Sequence, residues 1–274
     1  MDAYLLCFYG ILGLIVGSFL NVLVLRTGSG RSLGGRSFCD TCGMQLAWYH
    51  LVPVGSWILQ RGRCSRCKAR ISAQYPAVEA LTGIAFAVIG SAILPIAATA
   101  LALLAAALLI AISVYDLRHT IIPDAWSYLL AAVSLAFAIA IAPPASPEGW
   151  LALLVSGPAV ALPIYALYAL SRGSWMGLGD VKIALSFGWL LGPAWGLAAL
   201  MGAFVIGAVI SVCILLPLPR IARAARALNM PLFGASRGRF TMTSEVPFGP
   251  FLACSLSLAW YAHFVLHLPL MVLS

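Results

Sequence analysis

Two aspartates lie at the ends of apolar segments, where charged side chains are unusual. Asp116 follows the apolar run 101–115, and Asp180 follows the tripeptide 177–179 and begins another apolar run. A carboxylate at membrane depth is costly, so it is a candidate functional group. Two carboxyl groups close together in a low-dielectric site share one proton, so that one can activate water while the other polarises a carbonyl. This pattern predicts peptide-bond hydrolysis by Asp116 and Asp180.

Residues around the two aspartates have candidate supporting roles and also suggest an alternative. Gly177 and Gly179 lack Cβ atoms, so the backbone there can depart from helical geometry and receive an extended substrate strand. Lys182 is a further candidate for a supporting role. Alternatively, Arg118 and Lys182 could simply form ion pairs with Asp116 and Asp180, since each cation lies two residues after an aspartate. Asp124 follows a proline and is expected to cap the next helix, with a supporting role in the active site as the alternative.

Four cysteines form two Cys-x-x-Cys pairs in a polar loop: Cys39, Cys42, Cys64 and Cys67. Each pair can present two sulfurs to one ion, and Zn²⁺ prefers four thiolates in a tetrahedron. The charge pattern described below places this loop on the reducing side of the membrane, where stable disulfides are rare. The spacing therefore predicts a closed, structural zinc site in a zinc-ribbon-like loop, with free thiols or a redox pair as alternatives.

The helices that must position these groups are indicated by composition. Of the 274 residues, 62% are hydrophobic and only 9% are charged, whereas a soluble domain has about 25% charged residues. The fold class predicted is an all-α polytopic membrane protein of about eight spans. Glu79 is expected to be an interfacial acid in the first turn of the second span, and the pattern leaves open whether 181–218 is one helix or two. The predicted apolar runs are 4–25, 77–95, 97–115, 125–142, 150–170, 181–192, 194–218 and 247–268.

The cations indicate how the chain is oriented. With eight spans, all 16 Lys and Arg residues fall on one side, while the other side holds only Asp2 and Glu148. By the positive-inside rule the basic side is cytoplasmic, so both termini lie outside and both aspartates face the cytoplasm. Seven spans would break this partition. The net charge of +8 therefore reports orientation, and no nucleic-acid partner is expected.

Motifs along nearly the whole chain resemble those of the prepilin peptidases, also called type 4 prepilin leader peptidases. Any one of them alone is a weak signal, but their common order is highly specific. The matching segments are GSFLNV at 17–22, the cysteine loop at 36–79, Asp116 with IIPD at 121–124, the GxGD signature GLGDVK at 177–182, and VPFGPFLA at 246–253. One departure is His50, where the family often has an acidic residue.

The resemblance implies a function. Such enzymes remove the basic cytoplasmic leader from type 4 prepilins and type II secretion pseudopilins in the bacterial inner membrane, and many methylate the new N-terminus with S-adenosylmethionine. The positions of Asp116 and Asp180 match the family's catalytic pair. The expected division is a methyl-transfer part at 1–96 and a peptidase part at 97–274. No glycine motif of soluble methyltransferases is present, so the methyl-donor site is not located. A cation- or proton-coupled transporter is the alternative function, and the oligomeric state is not indicated.

Overall fold

The computed structural model describes residues 3–28, 32, 34–215 and 247–268, and their regular structure is helical apart from two isolated β-bridges in the cysteine loop. A short 3₁₀ turn, Trp48–Leu51, lies in that loop, and a π-helical turn, Ser211–Leu215, follows α7. The α-helices are α1 (Ala3–Arg26), α2 (Gly55–Leu59), α3 (Gln74–Gly90), α4 (Ile96–His119), α5 (Asp124–Ile141), α6 (Pro147–Ser171), α7 (Leu178–Ile210) and α8 (Gly249–Phe264).

Five of these helices, α1 and α4 to α7, are long and apolar enough to cross a membrane. Helices α3 and α8 have 17 and 16 residues, so they are shorter than a typical span of about 20 residues. They nevertheless occupy two of the predicted apolar runs and pack against the longer helices. The predicted all-α polytopic class is confirmed. The basic segment 219–246 lies outside the described residues.

Helix α7 is interrupted at Gly192, which has a φ of 74° and is followed by Pro193. Beyond the break, a Cβ on Gly196 would lie 2.9 Å from the carbonyl oxygen of Phe187. Residues nine apart in a continuous helix are about 13 Å apart, so the chain must reverse direction here. The stretch that the sequence left open is therefore a hairpin of two helices, 178–191 and 193–210.

Small residues bring α1 against α3. A Cβ on Gly17 would lie 2.7 Å from the Cα of Glu79, and one on Gly13 would lie 2.5 Å from the Thr82 carbonyl oxygen. Such close backbone approach is typical of small-residue helix contacts in membranes. Asn21 strengthens the contact, because its Nδ2 donates to the carbonyl oxygen of Tyr75 at 3.1 Å.

Two clusters of buried apolar side chains form the interior, and both use α4. One cluster joins α4 to α1 and α3, and includes Ile110 and Val114 of α4. The larger cluster joins α4 to four later helices, α5, α6, α7 and α8. It includes Leu109 and Ile112 of α4. Helix α4 therefore packs between α1 and α3 on one side and α5 to α8 on the other, and its C-terminal turn contacts both groups of helices.

Candidate active site

Asp116 and Asp180 come together at one end of the bundle. Asp116 lies in the last turns of α4 and is 4% exposed, while Asp180 lies in the first turn of α7 and is 8% exposed. Their carboxyl groups are close enough to interact electrostatically. The structure therefore brings together, in a largely buried position, the two side chains that the sequence singled out.

The backbone at the start of α8 holds Asp116. The amide of Gly249 donates to Asp116 Oδ2 at 2.9 Å, so the carboxylate lies at the positive end of that helix. A Cβ on Gly249 would lie only 2.8 Å from the same oxygen, which explains why glycine is needed there. We did not assign this residue from the sequence, although it lies within the motif at 246–253.

The two glycines before Asp180 have different surroundings. Gly177 is extended and forms the N-cap of α7, where its carbonyl accepts the Asp180 amide at 3.2 Å. A Cβ there would lie 3.4 Å from Asp180 Oδ2, so a larger residue would crowd the carboxyl group. A Cβ on Gly179 would lie 2.8 Å from the Cβ of Ile122. Gly179 thus gives close packing against the 121–124 segment, and the approach of an extended substrate strand to this backbone stays a prediction.

Neither of the nearby cations pairs with the buried aspartates. Lys182 Nζ donates to Asp124 Oδ1 at 2.6 Å, and Arg118 Nε donates to Gln74 Oε1 at 2.8 Å. The ion-pair alternative for Asp116 and Asp180 is therefore wrong. The predicted cap role of Asp124 is also wrong, because Pro123 occupies the N-cap position and no side chain caps that helix. Asp124 instead links the start of α5 to α7 through Lys182.

The four loop cysteines form a cluster, with all their sulfurs within 4.8 Å of one another. The Sγ atoms of Cys39 and Cys67 are 3.8 Å apart, about the edge of a tetrahedron with Zn–S bonds of about 2.3 Å. The two Cys-x-x-Cys turns have the same backbone conformation. In each turn the residue four positions after the first cysteine, Gly43 or Lys68, has a positive φ. Backbone amides of Cys67 and Arg66 donate to the Cys64 sulfur and lower the pKa of that thiol to about 6. The donor set therefore fits a metal that prefers thiolates.

Comparison with known proteins gives the family. Residues 11–93 match the model for the bacterial peptidase A24 N-terminal domain, and residues 102–212 match that for the type IV leader peptidase family. A type 4 prepilin-like proteins leader peptide-processing enzyme of Escherichia coli is 31% identical over 268 residues, covering 88% of each chain. This chain belongs to the type IV leader peptidase family. No solved structure matches it significantly.

Two other relatives of this chain are both named prepilin leader peptidase/N-methyltransferase. A prepilin leader peptidase/N-methyltransferase of Bacillus subtilis is 30% identical, covering 91% of each chain. One of the same name from Myxococcus xanthus is 32% identical over 76% of this chain, and the match covers 63% of that longer protein. These names give no support to the transporter alternative.

A second polar site in this family member is formed around Glu79. This residue is 7% exposed, and its Oε2 accepts the Val54 amide at 2.7 Å. Ser18 of α1 lies close to the carboxylate and lines the same cavity. The prediction of an interfacial first-turn acid is wrong, because α3 begins at Gln74 and the cysteine loop folds over the side chain. Sequence analysis missed this site because Val54 is 25 residues away and nothing in its side chain signals the contact.

Glu79 lies in the wall of a cavity of about 550 Å³ enclosed by α1, α3, the end of α4 and the cysteine loop. Arg70 and Arg118 contribute cationic groups to its lining, and Asp40 contributes a second acid. Neither Asp116 nor Asp180 lines this cavity. The described residues therefore contain two polar sites at the same end of the bundle.

Proposed function

We propose that this protein is an aspartic endopeptidase that removes the cytoplasmic leader of type 4 prepilins or pseudopilins and then methylates the new N-terminus. The observation that carries the peptidase proposal is the pair of buried carboxyl groups, Asp116 and Asp180, at one end of a membrane helix bundle. Family membership and the names of the relatives support the choice of substrate and the second activity.

The two carboxyl groups divide the hydrolytic work. In the resting site they share one proton, because two nearby charges in a low-dielectric site repel each other. The ionised carboxylate takes a proton from water as the water oxygen attacks the peptide carbonyl carbon, and the protonated carboxyl donates a hydrogen bond to the carbonyl oxygen. A proton then passes to the leaving amine as the C–N bond breaks. Gly249 holds Asp116 in place during these steps.

Residues around the pair position it. The Lys182–Asp124 ion pair fixes the first turn of α7 against the start of α5, and Gly179 allows close packing of the same turn on Ile122. Gly177 leaves space beside the Asp180 carboxyl group, which suits the approach of an extended substrate backbone. The ion pair and the close packing of Gly179 hold the aspartates on rigid helix ends, as catalytic geometry requires.

Two further components belong to the proposal, a structural metal ion and a methyl donor. Cys39, Cys42, Cys64 and Cys67 would hold a structural Zn²⁺, since their sulfurs have the spacing of a closed four-thiolate site. S-adenosylmethionine would supply the methyl group, because an amine cannot gain a methyl group without an activated donor. We divide the chain accordingly into a methyl-transfer part at 1–96 and a peptidase part at 97–274.

The protein is proposed to lie in the bacterial inner membrane with both sites facing the cytoplasm. The ends of α1 and α4 and the starts of α3 and α8 meet at one end of the bundle, and Asp180 at the start of α7 lies near Asp116 there. By the positive-inside rule we expect this end on the cytoplasmic side. Both chain termini then lie on the outer side, and the partners are the lipid bilayer and a membrane-anchored pilin precursor.

Purified protein in vesicles, mixed with a candidate prepilin and S-adenosylmethionine, tests both activities. Mass spectrometry of the product should give a pilin shortened by its leader and heavier by one methyl group at the new N-terminus. An Asp180→Asn protein prepared in parallel is the control for contaminating proteases. Intact precursor with every candidate prepilin would contradict the proposed function.

A further inference from the structure

The cavity beside Glu79 is separated from the aspartates by the last turn of α4. Asp116 faces Gly249 of α8, whereas Arg118, two residues later, lines the cavity and donates to Gln74 of α3. Residues at i and i+2 of a helix point to different sides. The two sites therefore lie on different sides of one helical turn.

The lining of the cavity combines residues of the cysteine loop with residues of the membrane helices. The part formed by the cysteine loop carries both charge signs, including Asp40 and Arg70, together with the aromatic rings of Phe38 and Trp57. Such a surface suits a ligand with a flat ring and a zwitterionic amino acid, and about 550 Å³ lies within the usual range for small-molecule sites, about 300–1,000 Å³. S-adenosylmethionine has this chemistry.

The membrane helices α1, α3 and α4 supply the rest of the lining. There Glu79 is held between the Val54 amide and Ser18, inside the contact between α1 and α3. A pilin whose leader has been removed begins directly with its membrane helix, so its new amine arrives from the membrane side. A water-soluble methyl donor arrives from the loop side. The carboxylate of Glu79 is therefore expected to meet the new N-terminal amine of the pilin.

We propose that this cavity is the methyl-transfer site and that Glu79 is a catalytic residue that hydrogen-bonds to the amine of the cleaved pilin. The proposal rests on the function given above. The ammonium first loses a proton to water in the open cavity. The amine lone pair then attacks the methyl carbon, the C–S bond breaks, and its electron pair stays on sulfur as a thioether. Positive charge moves from sulfur to nitrogen, and the carboxylate stabilises it there.

A purely structural role for Glu79, as an anchor for Val54, is the competing explanation. Val54 has a φ of 58°, which is unusual for a branched residue, and the carboxylate fixes its amide. Glu79→Gln separates the two roles, because the glutamine side-chain oxygen can still accept from Val54 while the negative charge is lost. Glu148→Gln is a matched control, since Glu148 is an exposed acid in the first turn of α6.

Three measurements on the full-length protein in vesicles test the proposal. For Glu79→Gln we expect cleavage within about threefold of wild type, a methylation rate lower by about 10²-fold, and an unchanged affinity for S-adenosylhomocysteine by calorimetry. Glu148→Gln should match wild type in all three. Normal methylation by Glu79→Gln would overturn the role of Glu79, and so would a loss of S-adenosylhomocysteine binding.

Mapping of the donor site on the wild-type protein keeps the test independent of how any variant folds. Irradiation with radiolabelled S-adenosylmethionine should attach label within the peptide 36–79, and excess S-adenosylhomocysteine should prevent it. Label confined to segments that do not line the cavity would overturn the assignment, whereas label at 18–26 or at Arg118 would agree with it. A wild-type protein that neither cleaves nor methylates would instead refute the proposed function, so the two failures are distinguishable.

Discussion

At the scale of single residues, the fold holds each aspartate by a different means. Asp116 accepts a hydrogen bond from Gly249, 133 residues away, whereas Asp180 is placed by its own helix, through the bond of its amide to Gly177. The position of Asp116 therefore depends on a contact with a distant segment, and it can be disturbed without touching the carboxylate.

The aspartates themselves give the most direct prediction. Asp116→Asn and Asp180→Asn should each reduce cleavage by at least about 10³-fold, because the two groups act as a unit. Insertion into the membrane should be normal, as judged by yield and thermal unfolding. The rates are to be measured with a purified prepilin in vitro, and near-normal processing by either variant would refute the mechanism.

Asp124→Asn is the matched control for those two variants. Asp124 is 70% exposed in its ion pair with Lys182, and exposed pairs contribute only about 0–1 kcal/mol. We expect cleavage to fall by less than about tenfold. A loss as deep as that of the other two aspartates would assign Asp124 to the catalytic chemistry.

Gly249 is a sharper test of how Asp116 is held. Gly249→Ala should lower the cleavage rate by about 10²-fold, because a Cβ 2.8 Å from Oδ2 forces the carboxyl group out of position. Gly34→Ala is the control, since a Cβ at that exposed loop glycine meets nothing within 4 Å. Equal rates for the two variants would show that the position of Asp116 does not depend on Gly249.

The sequence located the aspartates because charge is rare in apolar segments and so is conspicuous. It could not identify Gly249 or the partners of Glu79, since these contacts join segments far apart in the chain and use backbone amides. The role expected for Asp124 failed for a related reason. The sequence rule considers only neighbouring residues, whereas the Asp124 side chain accepts a hydrogen bond from Lys182, which is distant in the sequence.

At the scale of elements, the cysteine loop carries the four clustered sulfurs, and a metal bound there is expected to order it. The purified protein should contain about one zinc per chain, as a closed four-thiolate site requires. Cys64→Ser should lower the metal content and loosen the loop, because metal binding supplies much of the ordering free energy of so small a segment. Cys7→Ser, at an exposed cysteine of α1, should keep its zinc.

The two activities should respond differently to Cys64→Ser. Methylation is expected to fall more than cleavage per folded molecule, because the loop forms part of the cavity wall while the aspartates lie on α4 and α7. Elemental analysis, cleavage and methylation are to be measured on the same preparation. A fully active wild-type protein without metal would refute the zinc site, and equal loss of both activities would refute the separation.

Most helices could be predicted from apolar runs, because lipid requires them to be long and uncharged. The break at Gly192 was visible as a Gly-Pro pair, but sequence alone could not distinguish a kink from a reversal of the chain. The reversal is decided by packing, since Gly196 must fit against the backbone of Phe187. The start of α3 was placed too late because Gln74 and Tyr75 are polar enough to resemble loop residues.

At the scale of the whole molecule, the arrangement of spans predicts the topology. Reporter fusions after residues 72 and 228 should give a cytoplasmic signal, and a fusion after residue 146 should give an external one. Residue 228 lies in the segment outside the described residues. A cytoplasmic signal at 146 would contradict the number of spans and the common depth of the two aspartates.

The hairpin in α7 has a consequence for the surrounding lipid. Its first arm, 178–191, has about 14 residues and measures about 21 Å, whereas the hydrocarbon core of a bilayer is about 30 Å thick. A helix this short draws the lipid surface inward around it, at a cost that grows with acyl-chain length. Because Asp180 begins that arm, the thinning brings water towards the carboxyl groups. Cleavage should therefore be faster in vesicles of short-chain phosphatidylcholine than in long-chain ones, and equal rates in the two would contradict an effect of membrane thickness.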